Sequence, residues 1–308
     1  MKQPATTDMA ALHEALTGFF ASPQPQARRV FHGRGQCYPG LEHLAVDWYA
    51  PIVLISAWAE VPAPDSLCAA VLAADRHRQV ETILLQHRDQ TSSPCEVLHG
   101  AASFHTEVEE LGLKYEVHPG RRQNAGLFLD MRPLRQWLLD NSRDCRVLNL
   151  FAYTCSLSVA ALAGGAGAVT NVDVSKPSIA WGERNHRLNA QDKERVRIVP
   201  HNLFTSWGRI RQYGRYDLVI VDPPSRQRGS FDAERDYAAV LKKLPGMCHP
   251  GARVVAALNS PFLGPDFVLE QCRRALGEFT LLEQIAPAPE FNECEPEKGL
   301  KIFVIRLP

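Results

Sequence analysis

The chain has 308 residues, 45% of them apolar and 22% charged. That composition excludes a highly charged disordered polymer and suggests roughly two domains at about 150 residues each. Lys+Arg and Asp+Glu both number 34, so the formal net charge is zero and the chain as a whole lacks the signature of a polyanion-binding protein.

Residues 8–20 place apolar side chains at helical spacing and predict a short amphipathic helix. The stretch lacks the basic residues of a membrane-surface helix, so packing on the body is expected. Residues 21–27 read as a linker, which gives 1–27 as an N-terminal helix and linker. Apolar, β-branched segments follow at Pro51–Trp58, Glu81–Gln86, Phe104–Val108 and Leu113–Val117, with a helix over Asp65–Arg78. Residues 28–120 are therefore expected to form a small α+β domain. The longest uncharged apolar run, Trp48 to Ala59, is too short to span a bilayer and contains Pro51. Asp8 and Glu14 interrupt the N-terminal stretch where a signal peptide would have its apolar core. A soluble cytoplasmic protein with no membrane partner is the expectation. It fits the eight cysteines, Cys37, Cys68, Cys95, Cys145, Cys155, Cys248, Cys272 and Cys294, which form no CxxC pair and read as reduced, mostly buried thiols.

Beyond residue 120 the pattern changes. A helix at 131–140 leads into strands and helices in alternation: strand Arg146–Tyr153, helix Leu157–Ala163, strand Ala168–Val174, helix Pro177–Asn189 with Ser175 as its cap, and strand Val196–Pro200. Then come a short helix from about Leu203, strand Tyr216–Val221, helix Ala233–Met247, strand Ala252–Leu258 and helix Asp266–Leu276. Strands Leu281–Ala286 and Leu300–Leu307 close the chain with no helix between them, and are expected to pair antiparallel at one edge. Residues 121–308 thus predict a doubly wound, mostly parallel α/β sheet of seven strands. The charge asymmetry follows this division: residues 1–120 hold 8 Lys/Arg against 14 Asp/Glu, and residues 121–308 hold 26 against 20. Attraction for an anion belongs to the second part. The acidic first part reads either as a substrate-positioning domain or as a homodimer surface.

Ligands of an open α/β sheet bind outside the carboxyl ends of its strands, near the switch point. The residues there are Asn149–Ser156, Asp173-Val174-Ser175, His201–Phe204 and Asp222-Pro223-Pro224-Ser225. Asp173 lies 19 residues after Thr154, where an acid can accept both hydroxyls of a ribose. The first turn has no GxGxxG and the chain no GxxxxGK[ST], so a pyrophosphate-bearing ligand such as NAD, FAD or ATP is disfavoured. S-adenosylmethionine, with a ribose and an adenine but no phosphate, fits better. In Asp222-Pro223-Pro224 two fixed φ angles stiffen the strand exit and hold a carboxylate and a carbonyl at the ligand edge.

These residues resemble the class I S-adenosylmethionine-dependent methyltransferases. Gly126–Arg132 (GLFLDMR), Asn149–Thr154 (NLFAYT) and Asp222–Ser225 (DPPS) are similar to one branch, which contains bacterial 23S rRNA methyltransferases, among them a cytosine-C5 and a guanine-N7 enzyme. Phe31–Trp58 is similar to a subgroup of it. The resemblance implies a seven-stranded methyltransferase sheet and S-adenosylmethionine held by Asn149, Phe151, Ala152, Tyr153, Thr154, Cys155, Ser156, Asp173, Val174, Asn202, Leu203 and Asp222. Asp222, Pro223 and Pro224 would orient the acceptor, and Arg132, Ser225, Arg226 and Arg228 would contact substrate. Two positions depart from the family pattern: Cys155 replaces a glycine, a strained choice if φ there is positive, and Asn202 replaces an acid.

C5 methylation needs a cysteine nucleophile, but Ser225 and Asn259-Ser260 occupy the places for it. With C5 chemistry disfavoured, the resemblance implies a base nitrogen of RNA, rRNA in particular, as the acceptor. A protein or small-molecule acceptor, or a non-catalytic RNA-binding assembly factor, are the alternatives. Arg209, Arg211, Arg215, Arg226, Arg228, Arg235, Lys242 and Lys243 could form a phosphate-gripping lid. No HExxH or paired spacing of histidine and carboxylate stands out, so no metal site is expected.

Overall fold

A computed structural model describes residues 9–227 and 230–308. The chain divides into two compact bodies, one of residues up to Asp130 with Ala288–Pro296, the other of Met131–Pro287 with Glu297–Pro308.

The first body opens with α1 (Ala10–Phe19). Its Leu12 and Leu16, with Phe20, are fully buried in a cluster with Phe31, Trp48, Ile55, Val71 and Ile83. The helix and the residues after it are thus part of this core, and Trp48 Nε1 donates to the Gln24 carbonyl at 2.9 Å. A sheet follows in sequential order: β1 (Arg28–His32), β2 (Leu44–Tyr49), β3 (Ile52–Ala57), β4 (Thr82–His87) and β5 (Cys95–Gly100). Only β3 and β4 are parallel, joined across α2 (Pro64–Ala74). β6 (Thr106–Glu110) and β7 (Leu113–Val117) form a separate hairpin. Three of these strands, β1, β2 and β5, carry charged or polar residues and lie outside the apolar segments read from the sequence. Arg29 and Asp47 explain two of them. They face each other across β1 and β2 and form a paired contact, Arg29 Nε donating to Asp47 Oδ1 at 2.5 Å and Nη2 to Oδ2 at 3.2 Å.

Ala288–Pro296, which the sequence reading left in the second part, returns to this body. Arg28 Nε donates to Glu290 at 2.6 Å, Arg29 stacks on Phe291 at 4.5 Å, and Cys294 N donates to the Gly35 carbonyl at 2.8 Å. The approach is so close that a Cβ on Gly35 would lie 1.8 Å from the Asn292 carbonyl oxygen.

The second body follows α3 (Arg132–Asn141) with β8 (Arg146–Leu150), α4 (Ser156–Ala163), β9 (Ala168–Val172), α5 (Lys176–Leu188), β10 (Val196–Val199), α6 (Trp207–Gln212) and β11 (Tyr216–Val221). The short hairpin of β12 (Arg226–Gln227) and β13 (Phe231–Asp232) precedes α7 (Ala233–Leu241), β14 (Cys248–Asn259), α8 (Pro265–Leu276), β15 (Thr280–Gln284) and β16 (Leu300–Arg306). The sheet order is β10-β9-β8-β11-β14-β16-β15. β16 runs antiparallel to both neighbours, so the expected closing pair exists, with β16 inserted beside β14. Ser175 caps α5 as expected, its Oγ accepting from Ser178 N. α7 stops at Leu241, short of the expected Met247, and the Lys243–Met247 stretch turns by successive short hydrogen bonds into β14.

Among the described residues no helix is long and apolar enough to cross a membrane. All eight cysteines are free thiols. Four of them, Cys145, Cys155, Cys248 and Cys272, are buried, half rather than the expected majority.

Candidate active site

The carboxyl ends of β8, β9, β10, β11 and β14 lie along one edge of the second body's sheet. The turn after β8 has an unusual backbone. Phe151, Tyr153 and Cys155 all have positive φ, at 59°, 47° and 61°, a conformation that costs an L-residue about 1–2 kcal/mol. Cys155 thus adopts the conformation that a glycine would take freely. Surrounding bonds hold the turn in place. Ala152 N donates to Val172 O at 3.0 Å, Asn185 Nδ2 to Thr154 O at 2.9 Å, and Tyr153 N to Asp173 Oδ2 at 2.9 Å. The Cys155 side chain fits because α5 has a glycine opposite it, and a Cβ on Gly182 would lie 2.3 Å from the Cys155 sulfur. Ser156 opens α4, one residue before the expected Leu157.

Beneath the turn lies a buried polar network. Asn149 Nδ2 donates to Asn171 Oδ1 at 2.9 Å, and Asn171 Nδ2 approaches His186 Nε2 at 3.5 Å. His186 Nδ1 donates to Gln191 Oε1 at 2.6 Å, whose amide in turn donates to Val159 O at 2.8 Å. Burial lowers the His186 pKa to about 4, keeping the ring neutral. Asn149 is therefore embedded in the sheet, and its Oδ1 is buried without a protein partner among the described residues.

Asp173 sits at the end of β9. Its Oδ2 accepts Tyr153 N and its Oδ1 accepts Ser175 N at 2.8 Å. A carboxylate has about four acceptor sites, so each oxygen can still accept a hydroxyl. Burial raises the Asp173 pKa above the usual carboxylate range, against the opposing pull of the two N–H donors. Val174 beside it is 45% exposed. At the end of β10, Asn202 Oδ1 accepts Phe204 N at 2.9 Å and caps a short 3₁₀ turn, in which Leu203 is buried and Phe204 remains exposed. Asp173, with two apolar side chains left uncovered on adjoining strands, suits a nucleoside: hydroxyl acceptors at one end and an apolar slot for a base at the other. Phe204 falls within the His201–Phe204 strand end read from the sequence, with no role assigned to it there.

Asp222 and Ser225 are half-buried, Pro223 is buried and Pro224 exposed. Ser225 Oγ donates to the Asn259 carbonyl at 2.5 Å, tying the loop after β11 to the end of β14. Phe231 packs edge-on against Phe151 with ring centroids 5.0 Å apart, which links this loop to the turn after β8. Tyr237 donates to Ala257 O at 3.0 Å, and burial, with smaller contributions from Cys272 and Asp222, raises its pKa well above the ordinary value. Both aromatics belong to the core. An exposed aromatic after β14 is Phe262, 92% accessible, on a loop anchored by Phe262 N donating to Ser260 Oγ and by Lys301 Nζ donating to the Ser260 carbonyl.

The basic group is less free than its count suggests. Arg226, 84% exposed, faces Asp232 at 3.6 Å, and Arg235 makes two 2.7 Å hydrogen bonds to Asp236. Arg228 lies outside the described residues. Arg132 stands half-buried at the start of α3.

A doubly wound sheet with Asp173 and Asp222-Pro223-Pro224 at the carboxyl ends of its strands has the class I methyltransferase architecture. Residues 28–306 match the family described as S-adenosylmethionine-dependent methyltransferase. The chain belongs to that family, and S-adenosylmethionine is its methyl donor.

Two curated relatives carry the name ribosomal RNA large subunit methyltransferase K/L. That of Hahella chejuensis is 30% identical over 251 residues, 74% of this chain and 33% of its own. That of Methylococcus capsulatus is 37% identical over 164 residues, 51% of this chain and 22% of its own. The chain thus spans a third or less of the length of these relatives. Among solved structures, a SAM-dependent methyltransferase from Streptococcus mutans superposes with a TM-score of 0.84 at 24% identity, covering 99% of this chain and 83% of that one. An M. jannaschii tRNA m1G37 methyltransferase superposes at 0.60 and 13% identity, over 85% of this chain and 70% of its own. Both likenesses concern the fold.

Proposed function

We infer that this methyltransferase acts on a nitrogen of an RNA base, with large-subunit ribosomal RNA as its substrate. The observation that carries the choice of atom is the acceptor edge itself, where Asp222-Pro223-Pro224-Ser225 meets Asn259 and no thiol is present among the residues of either loop. Cys155 is fully buried under the turn, and burial raises its pKa far from the thiolate range. Cys248, at the opposite end of β14, is pushed up to about 12. Attack on a pyrimidine C6 has no nucleophile here. The choice of RNA is supported by the names of the curated relatives.

S-adenosylmethionine, when bound, supplies an electrophilic methyl carbon on a sulfonium. The protein's task is then mainly positioning, with the acceptor held about 3 Å from that carbon and in line with the breaking bond. Asp173 accepts the two ribose hydroxyls with the sites its N–H donors leave open. Val174, Leu203 and Phe204 frame the adenine, and Asn202, whose oxygen is already engaged, offers Nδ2 to a ring nitrogen. The Phe151–Ser156 turn lines the methionine portion, above the Asn149 network that holds it. Asp222 and the Pro223 carbonyl accept from the base and point its lone pair at the methyl. That lone pair would take the methyl carbon the bound donor supplies, the S–C electron pair leaving with sulfur. Where the nitrogen carries a proton, the Asp222 carboxylate takes it. Ser225, Arg226, Arg228 and Arg132 are assigned to the RNA.

The test is transfer of labelled methyl to RNA and protein fractions from cells lacking this gene. Label is expected in large-subunit ribosomal RNA with the native chain. With Asp222→Ala it should be at least roughly 100-fold reduced, a loss of the size seen when one transition-state contact is removed. Label confined to protein, or normal turnover by the variant, overturns the reading.

A further inference from the structure

The β6–β7 hairpin of the first body carries a group of side chains outside the candidate active site. Its register sets Thr106 opposite Val117 and Glu107 opposite Glu116. One step outward, His105 comes opposite His118. Opposed residues of an antiparallel pair share a face, as do residues two apart on one strand. His105, Glu107, Glu116 and His118 therefore rise from one face of the ribbon, while Val108, Tyr115 and Val117 are buried on the other.

The three donors nearest the hairpin's open end converge. His118 Nε2 lies 2.8 Å from Glu116 Oε1, and His105 Nε2 lies 3.7 Å from the same oxygen. The donor atoms of all three residues fall within 4.8 Å of one another. Ligand atoms about 2.0–2.2 Å from a tetrahedral zinc ion stand about 3.3 Å apart, and the two measured separations bracket that value. The imidazole rings, 5.0 Å apart and inclined at 58°, converge without stacking. Glu116 is buried even though it is on the outward face. Its cross-strand neighbour Glu107 adds a second acid to the face, which further favours a cation.

We propose that His105, Glu116 and His118 bind a divalent transition-metal ion, and that the ion is zinc. Two imidazoles and one carboxylate suit zinc and its neighbours in the first transition row and are a poor set for magnesium or calcium, which take oxygen ligands. Three protein ligands leave a fourth position for water. Bound there, the ion joins the residue that precedes β6 to the residue that follows β7. It closes the open end of a hairpin whose other end is the Leu111-Gly112 turn.

The experiment is a calorimetric titration of the full, reduced chain with zinc chloride, together with thermal unfolding with and without zinc. One saturating equivalent and a raised unfolding midpoint are expected, since a ligand of the folded state stabilises it by mass action. His105 is 56% exposed at its side chain, so His105→Ala leaves the fold intact by far-ultraviolet circular dichroism. It should weaken zinc binding by at least roughly tenfold, given that loss of even an outer-shell partner costs about 10–100-fold. Glu116→Gln, of nearly the same shape, should weaken it likewise and gives a second reading. Cys294→Ser, which removes the exposed thiol, should leave binding unchanged. The proposal is overturned by absence of saturable binding in the native chain. It is equally overturned by full binding in both His105→Ala and Glu116→Gln, or by binding lost in Cys294→Ser, which would make the thiols the ligand.

Discussion

At the scale of single residues, the turn after β8 shows how a departure from a family pattern is compensated nearby. Cys155 sits at φ 61° where a glycine would be unstrained, and Gly182 on α5 makes room for its sulfur. Gly182→Ala should destabilise the second body by about 1–3 kcal/mol through overpacking. The same change in a Cys155→Gly background should cost far less, because the two nearest atoms, the sulfur at 2.3 Å and its Cβ at 2.8 Å, are gone and the next, Thr154 C, stands at 3.1 Å. Urea unfolding of the two single variants and the double should give a coupling energy above about 1 kcal/mol; additive effects would refute the pairing. Asp173 makes a different prediction. Asp173→Ala should weaken S-adenosylmethionine binding by about 2–3 kcal/mol, or roughly 30–150-fold, for two lost bonds to a charged acceptor. The carboxylate, not the acid, accepts hydroxyls, and burial has raised its pKa. Native affinity should therefore be full above that raised pKa and fall as pH drops through it, while the Ala variant stays flat. Calorimetry across the acid range reads both.

At the scale of elements, the second body was largely legible in the sequence, because parallel strands buried on both faces read as apolar runs separated by helices. Asp173, Asn202 and the Asp-Pro-Pro exit could be found by looking just past the end of each run. The first body was harder to read. β1 begins with two arginines, and β2 carries Asp47; the charges that obscure the strands neutralise each other only when the register pairs them. The same holds for His105, Glu116 and His118, which are unremarkable along the chain and meet only through the hairpin register. Phe262 was missed for another reason. A lone aromatic in a loop has no periodicity to betray it, and only its 92% exposure beside the acceptor edge singles it out. The β14–α8 loop that carries it is fixed at Ser260 from two sides, so it presents the ring without having to order first. Base–aromatic stacking contributes about 1–3 kcal/mol. Phe262→Ala should accordingly raise KM for RNA by roughly 5–150-fold and leave the affinity for S-adenosylmethionine unchanged. An unaltered KM would remove Phe262 from the substrate path.

At the scale of the whole molecule, each body is held by a neutral histidine in a polar network, and this gives the fold a pH dependence that follows from hydrogen-bond direction. In the first body Arg29 Nη1 donates to His32 Nδ1 at 2.6 Å, and His32 Nε2 donates to Glu293 Oε1 at 3.3 Å. A second proton would have to enter at Nδ1, facing the guanidinium. Burial, with Arg29 and Arg34, lowers the His32 pKa to about 3. In the second body burial brings His186 to about 4. Both would titrate near 6.5 in the unfolded chain. Below that value the unfolded state binds protons that the folded state refuses, so stability is full above about pH 6.5 and falls as pH drops toward the folded values. The slope reaches about 1.4 kcal/mol per pH unit for each histidine. Asp173, with its pKa raised on folding, opposes this only at the acid end of the range. Urea midpoints measured from pH 7 to about pH 5 should therefore decline in the native chain. His32→Gln should flatten the decline for the first body and His186→Gln for the second, even though each variant loses stability at neutral pH through its disturbed network. Slopes that persist in both variants would mean that other groups govern acid sensitivity. A slope removed by one variant alone would locate the weaker body, because the two histidines lie in separate cores and share no hydrogen-bond partner.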